Sequence, residues 1–511
     1  MSEREHGVSA TDGVTTARPG AGPPAAAGTT RDWSAETLRD ALDRTSRWLL
    51  GYRERVGSLP VLPRTAPGEI RAALPARAPR DPEPFERVLE DFERLIVPGL
   101  THWNHPGFLA YFASATRGPS VAAELMIAAV GVNAMLWRTS PAATELELVV
   151  VDWLREALGL PEGLRGVILD TASTSSFTAL LAARERAGER VRETGLAGGP
   201  PLAVYVSDQA HSSLEKAAIA GGLGRAAVRR IPTDRGFRMD VDALARAIAD
   251  DRSRGVRPAL IGATAGTTST ASVDPVAPIA RVAEDTGAWL HVDAAYAGSA
   301  ALLPELRDRF EGWERADSIV VNPHKWLGTS LDCSVLFFRD PAPFREALAL
   351  TPAYLASEDG EVVNLMDFGL PLGRRFRALK LWVLFRCVGV DGLAASLRED
   401  IELARRFANR IERHPRFRLL APPSFSTVCF RAEPGAAPAT DEVADALNRR
   451  VLERVNRRGR VFLSHTELDG RYVLRLSIGS VHTRPTHVEE ALAELDAAVE
   501  AELGSPGGPG E

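Results

Sequence analysis

The sequence predicts an α/β protein built on a mostly parallel sheet sandwiched by helices. Three observations predict it. Short apolar runs, GVILDT, LAVYVSD, ALIGATAG, WLHVDAAY and SIVVNPH, recur through the middle of the chain. Helical patterns separate them: TALLAARERAGERVRE, SSLEKAAIAGG, DVDALARAIADD and PIARVAEDTG. The runs are nearly continuous in apolar residues, as strands covered on both faces must be. A strand–helix–strand rhythm brings successive strands into parallel pairing.

The elements follow in chain order. Residues 1–30 are rich in Gly, Ala, Pro and Thr and lack the apolar core of a signal peptide, so a disordered tail is expected. From Trp33 the chain turns helical. Ser34 stands as an N-cap before TLRDALDRTSRWLLGYRERV, and FERVLEDFERLIVPGL gives a second amphipathic helix after a Pro-rich stretch. The apolar segment 125–137 is too short and too interrupted to span a membrane and reads as a buried helix. From about residue 375 a long helical run begins. After it FRLLA, STVCFRAE, RVFLSHTEL and YVLRLSIG read as strands, with helices at 441–456 and 486–503. These boundaries suggest a helical segment over 31–115, a large domain over 116–395, a small α+β domain over 396–503 and a frayed tail over 504–511.

Composition narrows the function. Hydrophobic content of 45% and charged content of 25% suit a soluble globular protein, and a net charge of −6 with short, scattered basic clusters argues against nucleic-acid binding. Cys333, Cys387 and Cys429 form no CxxC pair, which fits a reducing cytoplasm and no disulfide framework. GxxxxGK[ST], HExxH and GxSxG are absent, removing common nucleotide, zinc-protease and serine-hydrolase readings.

Polar groups cluster just after the expected strands, where ligands sit in such folds. Asp293 ends WLHVD, His211 follows LAVYVSD, Thr267 and Thr268 follow ALIGATAG, and Asn322, His324 and Lys325 follow SIVV. Ala172 and Ser173 open a helix after GVILDT. A lysine leaving the core invites a chemical reason, since desolvation favours its neutral, nucleophilic amine. Pyridoxal phosphate requires such a lysine, a carboxylate at its ring nitrogen and a helix N-terminus at its phosphate. One cofactor accounts for Lys325, Asp293 and the Ala172–Ser173 turn. Each alone has a plainer reading: a cap or ion-pair partner for Asp293, an N-cap for residues 171–176, a hydrogen-bonded structural residue for His211. No metal is expected.

NPHKW, with HVDAAYAG and SDQAHSS upstream, resembles the group II pyridoxal-phosphate decarboxylases, best known from the aromatic-L-amino-acid decarboxylases, in a bacterial-type form. HPGFLAYF, SPAATELE, PLGRRFRALKLW and LRLSIG extend the resemblance over residues 32–500. It implies fold type I and the following roles. Lys325 would form the Schiff base with the cofactor and Asp293 would pair with the ring nitrogen. His211 would stack on the ring near the substrate carboxylate. Ala172, Ser173 and Asn322 would hold the phosphate with His324 beside them, and Thr267 would lie near the ring. Trp103, Tyr111 and Phe112 match the aromatic substrate pocket. Tyr354 falls in the family's lid, where a tyrosine goes with plain decarboxylation and a phenylalanine with oxidative conversion to an aldehyde.

The resemblance also implies a homodimer whose residues 31–115 wrap the partner, acting on a small amino acid; the cysteines and the lack of a targeting signal suggest a cytoplasmic setting, and segment length and charge suggest neither membrane nor nucleic-acid partner. Trp, Tyr, Phe or dopa is the expected substrate class. Asn133, Met135, Ala113 and Ser114 depart from animal relatives, and an amide at 133 would favour a polar ring substituent or an imidazole. Gly373 leaves room that goes with indole substrates in plant relatives. The rivals are an aldehyde synthase, a decarboxylase of an acidic amino acid, and a scaffold, which would be expected to lose Lys325 or Asp293.

Overall fold

The computed structural model describes residues 32–112, 114–188, 191–350, 362–435 and 440–504. Its centre is a seven-stranded sheet of β1 (Arg165–Leu169), β2 (Leu202–Ser207), β3 (Val228–Ile231), β4 (Arg257–Thr264), β5 (Trp289–Asp293), β6 (Ser318–Val321) and β7 (Ser334–Phe338). The spatial order is β1-β7-β6-β5-β4-β2-β3. β7 runs antiparallel to both its neighbours; every other pairing is parallel. The expected class holds, with β3 and β7 added. β3 is an edge strand reading VRRI, whose arginines hide the apolar pattern. β7 follows β6 through a loop rather than a helix, which is why it can run antiparallel.

Alternate side chains of each strand enter different cores. Ile168, Tyr205, Ile261, Val292 and Ile319 pack on one face, with the helices Val241–Ser253 and Val276–Thr286. Val167, Val204, Val206, Leu260 and Leu336 pack on the other, under the helices Ala172–Ala187 and Ser213–Ala220. That double cover explains why these strands show no polar alternation.

A second, antiparallel sheet is built from β8 (Phe417–Leu419), β9 (Thr427–Ala432), β10 (Ser464–Leu468) and β11 (Arg471–Ser477), ordered β10-β11-β9-β8. The helix Ala378–Glu412 links the two units and breaks at Gly389, where φ is +73°. Its residues up to Leu397 join the large core, and those from Leu403 onward join the small one.

At the N-terminus the Ser34 hydroxyl caps the helix Ala35–Arg55 by accepting from the Thr37 N–H at 3.1 Å. The helix Gly118–Val130 corrects the buried reading of that segment. Only Ser120, Ala123 and Ile127 are buried on it, and Leu125, Met126 and Val130 face outward. Apolar composition marks a face that needs cover without saying what covers it. Among the described residues no helix is long and apolar enough to cross a membrane.

Candidate active site

The carboxyl ends of β1, β2, β4, β5 and β6 converge on one cavity of about 200 Å³. The chain steps from β2 out to β3 and returns on the other side of β2 at β4, so the cavity lies at the switch point of the sheet. Ala172, Ser173, His211, Asp293, Asn322, His324, Lys325 and Phe112 all line it. These side chains come from segments up to 213 positions apart in sequence.

Lys325 follows the turn after β6, where its N–H donates to the Asn322 carbonyl at 3.0 Å. Its Nζ stands 5.3 Å from the Phe112 ring centroid. Burial holds the Lys325 amine below its usual pKa, with the Asp293 charge opposing and the Arg475 charge assisting. Asp293 ends β5, and its carboxylate accepts from the Ala295 N–H at 3.1 Å, the one hydrogen bond of that side chain to protein among the described residues.

His324 is buried, and its Nδ1 accepts from the Cys333 N–H at 2.9 Å. The ring proton therefore sits on Nε2, which donates. The Asn322 amide stands 3.3 Å from that Nε2 and is left with one unpaired atom in the buried wall. The pairing is satisfied when the amide oxygen faces His324, which frees the amide NH2 as a donor. Desolvation, aided by Lys325, pushes His324 down to about 4, so it is neutral at physiological pH. His211 accepts from the Ser213 N–H at 3.2 Å through Nδ1, leaving Nε2–H for the cavity, and desolvation lowers its pKa.

The helix Ala172–Ala187 begins at the cavity. Thr171 is its N-cap and makes no side-chain capping bond, so the first-turn N–H groups remain available to an anion. Gly266, at φ +96°, also lines the cavity; a Cβ there would lie 2.5 Å from the Ala297 Cβ, so only glycine fits. An uncapped helix start, an unpaired buried amide, a low-pKa lysine and a nearly free carboxylate are the donor set that pyridoxal phosphate needs, and the residues fit it.

Of the remaining expected residues, Thr267, Trp103 and Tyr111 do not line the cavity. Thr267 is fully buried behind the wall, its hydroxyl bonded to Thr270 Oγ1 at 3.1 Å and Ser272 Oγ at 2.9 Å, while its neighbours Gly266 and Thr268 line the cavity. Trp103 and Tyr111 do not line it. They form an exposed aromatic platform, with Trp103 stacked on Phe108 at 4.4 Å and Tyr111 edge-on to Phe462 at 5.7 Å. Tyr354 lies outside the described residues.

Two residues escaped the sequence reading. Tyr296 stacks on Phe112 at 3.8 Å and on Trp326 at 4.7 Å between centroids, forming the floor beside Lys325. Its signal was its place in HVDAAYAG, three positions after Asp293. Arg475, on β11, places its guanidinium 4.7 Å from the same Phe112 ring. LRLSIG carried it, and nothing in that motif alone marks it as part of this site.

Comparison with known proteins agrees with this geometry. Residues 67–433 match the model of the pyridoxal-dependent decarboxylase conserved domain. Tryptophan decarboxylase 1 of Oryza sativa is 40% identical over 476 residues, covering 90% of this chain and 93% of that protein. Phenylacetaldehyde synthase of Arabidopsis thaliana is 38% identical over 468 residues, covering 89% and 94%. The crystal structure of the Oryza sativa tryptophan decarboxylase with pyridoxal phosphate and tryptamine superposes with a TM-score of 0.90 at 39% identity, covering 93% of this chain and all of that one. With the lysine, the carboxylate and the uncapped helix converging on one cavity, this chain belongs to the family of pyridoxal-phosphate-dependent decarboxylases.

Proposed function

We propose that the protein removes CO2 from an aromatic L-amino acid to give the corresponding amine, with an indole side chain preferred. The observation that carries this is Lys325 and Asp293 at the ends of adjacent strands β6 and β5, facing one cavity. When bound, pyridoxal phosphate supplies a protonated pyridine ring that accepts the electron pair left as the Cα–carboxylate bond breaks.

The chain's own residues divide the remaining work. Lys325 presents an amine of lowered proton affinity that can attack a carbonyl carbon. Asp293 keeps a proton at a pyridine nitrogen by charge. The Ala172 and Ser173 N–H groups, at a helix start, and the Asn322 amide would hold the cofactor's phosphate. His211 offers Nε2–H beside the reacting carboxylate. Neutral His324 carries no imidazolium proton to give near pH 7, and the family resemblance assigns the protonation of Cα to Tyr354, which lies outside the described residues.

Support for an indole comes from Gly373. A Cβ there would meet the Asn133 side chain at 3.9 Å, so the glycine keeps open space beside that amide. The tryptophan decarboxylases among the relatives favour the same substrate. Tyr354 weighs against the aldehyde-synthase reading that the phenylacetaldehyde synthase raises. The bacterial-type subgroup rests on sequence resemblance alone, the relatives named above being plant enzymes.

A homodimer is part of this reading. Leu125, Met126 and Val130 on one helix and Leu148, Val149 and Trp153 on the helix Pro141–Ala157 are exposed apolar side chains that a second subunit would cover. A cytoplasmic setting suits the three free cysteines. Borohydride reduction of the cofactor-loaded protein followed by peptide mass mapping tests the core of the proposal. Mass gained at Lys325 supports it; mass gained at another lysine, or at none, refutes it.

A further inference from the structure

Arg475 is 3% exposed on the central strand β11 and forms no ion pair among the described residues. A guanidinium withdrawn from water without a counter-ion is costly, and such sites concentrate where function needs the charge. Two of its nitrogens are used. Nε donates to the Ser269 carbonyl at 2.9 Å and Nη1 to the Tyr111 carbonyl at 2.7 Å. Nη2 is buried without a partner.

Tyr111 is itself unusual. It sits at φ +49°, a left-handed conformation that bulky residues avoid. Its N–H reaches Ser464 Oγ at 3.4 Å, so the small sheet holds it from β10 as well as β11. The turn sends consecutive rings to different places. Tyr111 joins the exposed platform, and Phe112 enters the cavity wall against Tyr296. The Phe112 ring then carries two cations, Arg475 at 4.7 Å and Lys325 at 5.3 Å.

We propose that Arg475 is a positioning residue of the reaction: through the Tyr111 carbonyl it fixes Phe112 beneath Lys325, and its charge acts on the lysine across that ring. Arg475 touches neither the lysine nor the cavity, so it works through its neighbours. The charged and titratable groups facing Lys325 are Asp293 from β5, Tyr296 on the cavity floor with its pKa raised by burial, His211 after β2, His324 beside it and Arg475 from the small sheet. Asp293 strengthens the hold of the amine on its proton and Arg475 weakens it. Both histidines are held below their usual pKa, so Arg475 is the permanent cation of the set.

This inference rests on the proposed decarboxylase function, and its test separates the two. Full-length wild-type, Arg475→Lys and Arg475→Met proteins are freed of cofactor. The rate of reductive methylation at Lys325 is then followed against pH by peptide mass spectrometry. Removing a nearby positive charge raises a lysine's pKa, so Arg475→Met moves the midpoint up, while Arg475→Lys leaves it near the wild-type value. With cofactor restored, both variants lose at least about tenfold in kcat with little change in KM, since neither can bridge the Tyr111 and Ser269 carbonyls as the arginine fork does. Combined with Phe112→Leu, their losses are less than additive. An unchanged Lys325 midpoint in folded Arg475→Met, or fully additive losses with Phe112→Leu, overturns the proposal. Should Arg475→Met fail to fold, a wild-type kcat in Arg475→Lys overturns it and a tenfold loss coupled to Phe112 sustains it. Failure of the wild-type protein to release CO2 would instead overturn the proposed function, and the Lys325 midpoint would still report on Arg475.

Discussion

The indole Nε1 of Trp326, the residue after Lys325, donates to Asp400 Oδ2 at 2.8 Å. Asp400 lies on the helix Ala378–Glu412 and is 5% exposed. Burial pushes its carboxyl up to about 7, against the Trp326 hydrogen bond and the Arg117 charge, which pull it down. The lysine turn is thus fastened to a group that titrates near neutrality.

That fastening gives a pH dependence with a definite sign. The folded pKa of Asp400 lies above the ordinary aspartate value of 3.8, so as pH rises the unfolded chain loses its proton first. Stability is therefore lost between about pH 4 and pH 7, and the penalty is constant above that. Asp400→Asn keeps an acceptor for Trp326 and removes the ionisation. Denaturation curves should show the variant more stable than wild type above pH 7 by about 1–4 kcal/mol, with the gap closing toward pH 4.

Arg374 and Glu147 form a buried ion pair at 2.7 Å, with side chains 5% and 1% exposed. Glu147 also accepts from the Ile168 N–H at 2.8 Å, and Arg374 donates to the Ala134 carbonyl at 3.2 Å, which ties β1 to the segment carrying Asn133. Arg374→Met leaves a buried carboxylate unpaired. Chemical denaturation should register a loss of about 3–5 kcal/mol, far more than for breaking the exposed pair Arg398–Glu305, which solvent screens.

Gly373 and Asn133 define a specificity prediction. Gly373→Ser adds a side chain whose Cβ alone stands 3.9 Å from the Asn133 amide. In the proposed reading Gly373 borders the substrate's ring, so the added side chain takes room from an indole before it crowds a phenol. The ratio of kcat/KM for tryptophan over tyrosine should fall by roughly tenfold, the size of a change of one small group in a pocket.

Much of this molecule is legible in its sequence, and the exceptions share a cause. β2, β4, β5 and β6 read clearly because both faces are covered, and Asp293, Asn322 and Lys325 read clearly because they stand at strand ends. β3 hides behind Arg229 and Arg230, which its edge position leaves free to reach Asp251 and Glu215. Arg475 meets Tyr111 across 364 positions of chain, through the docking of the small sheet on the large domain. No local pattern encodes a contact of that range. The outward face of Gly118–Val130 escaped for the converse reason, since an apolar run reads the same in sequence whether its side chains enter the core or, like Leu125, Met126 and Val130, face outward.

The central claim is aromatic decarboxylation at Lys325. Its most direct test is aerobic incubation of the cofactor-loaded protein with tryptophan, 5-hydroxytryptophan, tyrosine, dopa, phenylalanine, histidine and glutamate, with products identified by mass spectrometry. The account predicts an amine and CO2 in equal amounts from an aromatic substrate, tryptophan foremost, without aldehyde or peroxide. Aldehyde with ammonia and peroxide, or turnover of glutamate in preference to every aromatic, would contradict it.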